Sequence, residues 1–332
     1  MKRKITALLM SMTLLTSTVG FAAEFTPKEM LKESSLKALE IKSCEQDIKM
    51  NFGIDLGEHV DESLASFEEL MKDVDLDIHS KTSTEDSLKA EMTLTAALSG
   101  MTYTAELYMN NKEIAMKIPM VEPYVVQEYN TDDIDFAIYN TEEVMEFSKK
   151  LNGMVFDLIK DDEVVLEKDI IVNVNERNVK VNNIKVNLTS ARAKQIAVNY
   201  VNELMNDEYL KSIMVSSIKQ QSELNTLELT DEEILAELDI TDELVKAWTE
   251  ISRYMYVDQC EMTFSIDESS QLVASNVKVG LIVHDPNTKQ TSKVKFDIDT
   301  STYNINNVKD IEFPELNENN SITSEELAYI GN

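Results

Sequence analysis

Between about residue 45 and residue 120, apolar and polar residues alternate one by one over several successive stretches, and no other feature constrains this chain as much. Ile48, Met50, Phe52, Ile54 and Leu56 share one parity, with Asp47, Lys49, Asn51 and Asp55 between them. The rhythm returns at Leu88, Ala90, Met92, Leu94, Ala96 and Leu98. After Ser99-Gly100 it runs through Met101, Tyr103, Ala105, Leu107 and Met109, then Ile114, Met116, Ile118 and Met120. Side chains on a strand alternate faces, so each stretch buries one face and wets the other. That is the behaviour of an antiparallel sheet.

The rest of the chain organises around those strands. Pro27 to Glu40 carries Met30, Leu31, Leu36 and Leu39 at helical spacing. Strands are predicted at about 44–56, 73–80, 87–98, 101–110, 113–120 and 124–129, with Asn110-Asn111 as a turn. Thr141 opens a helix to about Lys150, with acidic residues in its first turn as the helix dipole prefers. A second strand block covers about 154–188, turning at Glu176 to Asn178. A helical block then fills about 190–255, including the capping box Thr230 to Glu233 and a segment with Leu244, Val245, Trp248, Ile251 and Met255. Strands return at Cys260 to Ile266, Val277 to Val283 and Val294 to Ile298, and Ile305 to Phe313 is expected to add a last edge strand ended by Pro314. Residues 315–332 read as an acidic, flexible tail. Many antiparallel strands with helices gathered in one block define an α+β chain.

The N-terminus reads as a signal peptide over residues 1–22. Lys2, Arg3 and Lys4 form its positive region, Ile5 to Val19 is mostly apolar, and Gly20-Phe21-Ala22 supplies small residues for cleavage. Its apolar stretch is shorter than the ~20 residues of a membrane span. No cysteine stands near the cleavage site to carry a lipid, so the mature chain is expected to be secreted or displayed at the cell surface without lipidation. It is expected to carry no transmembrane segment. The chain has 31 basic and 61 acidic residues, a net charge of −30. Losing the three leader bases leaves 28 against 61, or −33. Such a charge repels nucleic acid and anionic headgroups alike. With 43% hydrophobic residues the chain has material for a real core, and residues 23–314 are read as one domain.

Two cysteines are present, Cys44 and Cys260, each at the start of a predicted strand and on the parity of the apolar residues that follow. Two inward thiols in an exported chain are candidates for a disulfide tying the first strand to the C-terminal sheet. Two buried free thiols satisfy the same pattern. No C-x-x-C spacing suggests redox chemistry.

The stretches Asp47 to Phe52, Lys89 to Leu94 and Glu106 to Met109, with the closing Val308 to Glu315, resemble the exported half-barrel proteins typified by the lipoprotein carriers LolA and LolB and the mycobacterial LppX and LprG group. They are also similar to Met-rich exported proteins of Gram-positive bacteria whose function is unknown. The resemblance is one of pattern and order over about 40–310. It implies a curved antiparallel sheet lined with apolar side chains, lidded by helices and able to hold acyl chains. The chain departs from these families in lacking a lipidated cysteine, in its size and in the helical block.

The residues that bear on function are mostly methionines. Met50, Met92, Met101, Met109, Met116, Met120 and Met262 all fall on the apolar parity. Methionine is flexible and polarisable, so a Met-lined face adapts to ligands of different shape. The same stripe also describes an ordinary sheet core packed under helices. Asp73, Asp75 and Asp77 alternate with Val74, Leu76 and Ile78 ahead of His79, but Ile78 and Thr84 stand where a calcium loop needs Gly and Glu. They read as a solvated strand face. The three histidines, at 59, 79 and 284, lack metal-ligand spacing. No nucleophile elbow, Cys/His signature, phosphate loop or cofactor motif is present. The sequence thus predicts a non-enzymatic binding protein with a lipid or acyl chain against Met50, Phe52, Met92, Met101, Tyr103, Met109, Met116 and Phe264, and Trp248 as a lid contact. The alternative is a surface structural or protein-interaction module whose core is filled.

Overall fold

The computed structural model describes residues 26–57, 62–85, 88–128, 142–205, 207, 250, 252–284, 290–309, 311–323 and 326–327. The leader, most of the helical block and Trp248 therefore lie outside the described residues. The chain enters through helix α1 (Pro27–Ala38), whose start is set chemically: Pro27 occupies the first turn, and Thr26 and Glu29 cap each other's backbone. Strand β1 (Ser43–Asp55) follows, then helix α2 (Glu62–Met71), then β2 (Val74–Ser83), β3 (Lys89–Leu98), β4 (Met101–Met109), β5 (Glu113–Lys117) and β6 (Tyr124–Glu128). Helix α3 (Glu142–Leu158) leads to β7 (Val164–Val174) and β8 (Arg177–Asn187), and α4 (Ser190–Met205) opens the helical block. Strands β9 (Met255–Asp267), β10 (Leu272–His284), β11 (Thr291–Tyr303) and β12 (Ser321–Thr323) complete the fold.

All the described strands form one curved, open sheet of twelve, in the order β12-β6-β5-β4-β3-β2-β1-β11-β10-β9-β8-β7. Two meanders, β1–β6 and β7–β11, are thus joined along a single seam where β1 pairs antiparallel with β11. The chain is α+β, as the alternation predicts. Curling brings β7 back into contact with β11 although β10, β9 and β8 lie between them in the sheet.

Several expectations are corrected. Helix α2 is new: Leu64, Phe67, Leu70 and Met71 recur at helical spacing in a stretch overshadowed by the strands on either side. Helix α3 runs to Leu158, so the second strand block begins at Val164 rather than near 154. Met255 is the first residue of β9, not the end of a helix. Among the described residues of 305–313 no strand forms, because Asn304 and Asn306 take left-handed backbone angles (φ 49° and 53°) that turn the chain just after β11. Nor are residues 315–323 a loose tail. Ser321 OH and backbone N both bond Asn317 O, Tyr124 N donates to Asn320 O, and β12 then adds in parallel to β6.

The buried core sits at one end of the sheet. Met30 and Leu31 of α1 pack with Ile159, with Val164 of β7, with Ile184 and Val186 of β8, and with Ile266 and Leu272. Val155, Phe156 and Ile196 bring α3 and α4 onto the same cluster. Polar contacts lock these helices together. Lys28 Nζ donates to Ile159 O at 2.6 Å and Lys32 pairs with Asp157 at 2.7 Å. The Arg192 guanidinium clasps Glu163 and reaches Leu158 O at 2.7 Å. Among the described residues no helix is long and apolar enough to cross a membrane.

Candidate functional site

Antiparallel partners share a face, so the registers show which side chains stand together. One row runs Met101, Leu98, Val74, Phe52, Phe296, Val279, Cys260 across seven strands, from β4 to β9. The next runs Tyr103, Ala96, Leu76, Met50, Ile298, Val277, Met262, Val186, Val164. A third runs Ala105, Leu94, Ile78, Ile48, Thr300, Ser275, Phe264, Ile184, Leu166. One apolar face therefore extends without a charged residue from β4 to β7. At its β7 end, where Met262 and Phe264 flank the core cluster, that face is covered by the helices.

Exposure along this face follows a gradient. Near the start of β1 the residues are buried: Cys44, Ile48, Ile78, Ala90 and Met109. Toward the end of β1 most of them open: Met50, Leu76 and Leu98 are half-buried, Phe296 is 38% exposed and Met101 56%, while Val74, in the row of Phe52, stays buried at 4%. Phe52 and Phe296 stack at the seam with ring centroids 4.9 Å apart, and Tyr103 OH donates to Met101 Sδ at 3.3 Å. Helix α2 joins β1 to β2 beyond this end of the strands, and its Phe67 and Leu70 are exposed.

The sequence-predicted residues Met50, Phe52, Met92, Met101, Tyr103, Met109, Met116 and Phe264 all stand on this one face. Their settings differ. Met109 is buried, and Phe264 packs against the helix-covered core. Met120 leaves the stripe altogether. It sits in a turn at φ 67° and is 94% exposed. Phe296 completes the open end and was not among the predicted residues. Phe296 does lie on the parity of Val294 and Ile298, and that signal places it.

A polar stripe also crosses the buried part of the face, where Ser80, Gln46 and Thr302 stand side by side, with Gln46 Nε2 donating to Thr302 Oγ1 at 3.2 Å. The parity of β1 contains it, since Cys44 and Gln46 continue the apolar series backward with polar atoms.

The disulfide candidate is corrected. Cys44 and Cys260 are free. Cys260 stands in the row of Phe52, eight residues along β1 from Cys44 (52 − 44), and β11 and β10 lie between the two strands. At ~4.8 Å per strand that alone is ~14 Å, about twice the longest Cα separation a disulfide spans. Cys44 Sγ instead faces Thr82 Oγ1 at 3.5 Å, and burial pushes both thiols above the usual cysteine range.

The opposite face is polar. Asn51 Nδ2 donates to Asp73 and Asp75, both at 2.9 Å. Asn276 does the same for Asp297 and Asp299, at 3.1 and 2.8 Å. His79 Nδ1 meets Asp47 at 2.8 Å, and Lys278 pairs with Asp297 at 2.7 Å. Asp73, Asp75 and Asp77 thus form an exposed, amide-bridged strand face, and among the described residues no group of three or more metal-ligating side chains converges. Tyr108 is pushed up to about 12 by its burial and then by the Glu106 carboxylate its hydroxyl bonds.

No protein-family model matches the sequence, and no curated protein matches it. Among solved structures the chain is similar to LprF from Mycobacterium bovis at 10% identity and a TM-score of 0.32, over 87% of this chain and 96% of that one. A likeness of that size carries no argument about what this chain does.

Proposed function

We propose that this protein is an exported, non-enzymatic binding protein that holds a lipid or other acyl-bearing molecule against its Met-rich apolar face. One observation carries the reading: a charge-free face continuous from β4 to β11 is buried at one end and half-open at the other, around Met50, Phe52, Leu98, Met101 and Phe296. Soluble proteins rarely leave a contiguous apolar surface open without a use for it. Each methylene buried there contributes about 0.8 kcal/mol, so such a ligand needs no dedicated polar motif. Unbranched methionine side chains suit ligands of varied shape.

The buried rows on the same face, Ile48, Ile78 and Met109 among them, support the second reading, a surface structural or interaction module whose core is filled. Native mass spectrometry of the mature protein from its own host, followed by organic extraction, separates the two. A reproducible added mass that releases an acyl-containing molecule supports the carrier. A clean apo mass with no uptake of offered lipid leaves the filled-core module.

A further inference from the structure

The strands finish in unlike surroundings. At the end of the sheet where β1 begins, the turns are polar. Asn110 Oδ1 accepts from the backbone of Lys112 and Glu113, Asp267 accepts from the amides of Ser270 and Gln271, and Asn304 and Asn306 turn the chain after β11. At the end where β1 finishes, exposed apolar side chains gather. Nine large apolar side chains are exposed among the described residues, and six of them lie here. They are Phe67 and Leu70 on α2, Met101 after the Ser99-Gly100 turn, Phe296 beside Phe52, and Tyr254 and Tyr256 around the start of β9. His284, at the close of β10, fixes the tyrosines: its amide donates to Tyr254 O at 2.9 Å, and its ring lies 5.4 Å from that of Tyr256. The other three are dispersed, Met120 ahead of β6 and Val165 and Ile171 along β7. Single exposed apolar residues are ordinary. Six at one end mark a contact surface.

Its construction says what it contacts. The six come from α2, β4, β11 and the start of β9, and from both faces of the sheet. Met101 and Phe296 stand on the apolar face, whereas Tyr256, in register with Ile282 and Lys293, stands on the polar one. They border the end of the sheet rather than pave a flat patch, which suits a fluid partner better than a rigid complementary one. Met101 and Phe296 also belong to the half-open apolar face, so the border runs into that face without a break. Tyrosine, with an apolar ring and a polar tip, favours the boundary between lipid and water. Charges of both signs stand at this end, Lys293 opposite Asp55, Lys295 opposite Gly53, and Lys72 next to Asp73, as fits a headgroup layer without net charge. The net charge of −30 on the whole chain disfavours an anionic layer.

We propose that this end of the sheet is a docking rim for a zwitterionic lipid surface. The inference rests on the acyl-binding reading, since docking there would bring the open part of the apolar face against its source of acyl chains. The two remain separable, because Phe67 and Leu70 belong to a helix and Tyr256 to the opposite face.

The experiment is co-sedimentation of the mature full chain with phosphatidylcholine vesicles, alongside uptake of a fluorescent fatty acid offered without vesicles. The native chain is expected to partition onto these vesicles. Mixing phosphatidylglycerol into them is expected to weaken partition several-fold at low salt, and added salt to restore it. A Phe67→Ser/Leu70→Ser variant is expected to lower the partition coefficient about tenfold, because two large apolar side chains are withdrawn from the lipid. Tyr256→Ser, the second variant should the first lose its native circular dichroism, is expected to lower it by a smaller factor. Both should take up the fatty acid as the native chain does. A chain that partitions but takes up no fatty acid loses the acyl-binding reading and keeps the rim. Absence of partition, stronger partition onto the anionic vesicles, or folded variants that partition like the native chain overturn the proposal. Self-association without vesicles that the same variants abolish also overturns it, in favour of an interface between copies.

Discussion

The two ends of the apolar face are built from similar residues and put to different use. Around β7, β8 and the start of β10, the helices α1, α3 and α4 press Met30, Leu31 and Phe156 onto Ile184, Val186 and Ile266 until those side chains are fully buried. Around β4, β3 and the end of β1, equally apolar side chains remain half-open. Hydrophobic residues alone therefore do not make a core. A core forms where a second layer is tied down, and here the tying is polar: Lys28 on Ile159, Lys32 on Asp157, Arg192 on Glu163 and Leu158.

Substitutions at the two ends sharpen that contrast. Ile184→Ala removes side-chain atoms from the centre of the covered end, and is expected to cost ~2–5 kcal/mol in chemical denaturation. Met50→Ala at the open end is expected to cost ~1 kcal/mol or less in the same assay, because its side chain is only partly removed from water. It should nonetheless weaken uptake of a fluorescent fatty acid several-fold. Equal stability losses at both positions, with uptake unchanged, break the comparison.

A smaller effect tests the polar ties. The Arg192 hydrogen bond, together with the Lys160 backbone amide, holds the Glu163 carboxyl below its ordinary range despite some opposing desolvation. A carboxyl depressed in the folded state stabilises above its unfolded pKa, about 4.3, and that contribution is lost as pH falls through the lower folded value. The native chain is therefore expected to lose more stability than Arg192→Met on acidification from about pH 5 to pH 3. Identical acid profiles remove Arg192 from the account. Smallest of all is a rate difference between thiols. Both cysteines should be alkylated without reductant, the half-buried Cys260 ahead of the buried Cys44, and an intact mass two protons light contradicts the free thiols.

Much of this architecture is legible in the sequence, because strand alternation is a local signal that burial on one side enforces. The stretch from Ile48 to Leu56 announces β1, and Leu88 to Leu98 announces β3. Helix α2 escaped that reading because ten residues between two strong strands carry only a short helical stripe. β12 escaped because its pairing with β6 joins residues about two hundred positions apart, and nothing local marks it. At the site, parity places Met50, Phe52 and Phe264 on one face, but whether a face is covered depends on distant helices. So the openness of Met101 and the closure of Met109, each next to a turn at its own end of β4, could be read only from the folded sheet.

The seam between β1 and β11 has a consequence for how the chain reaches this state. Phe52 meets Phe296 across 244 residues (296 − 52), whereas within each meander the strands pair with their neighbours in sequence order, most of them as hairpins and β8 with β9 across the helical block. Closing so long a loop costs entropy before any contact rewards it. The hairpins can form first, each within its own half, and the joining of β1 to β11 is then the slow, rate-setting event. Until that event both halves carry a bare strand edge, so in refolding from denaturant, aggregation should compete most strongly at this stage. A chain truncated before β11 should keep that vulnerability indefinitely.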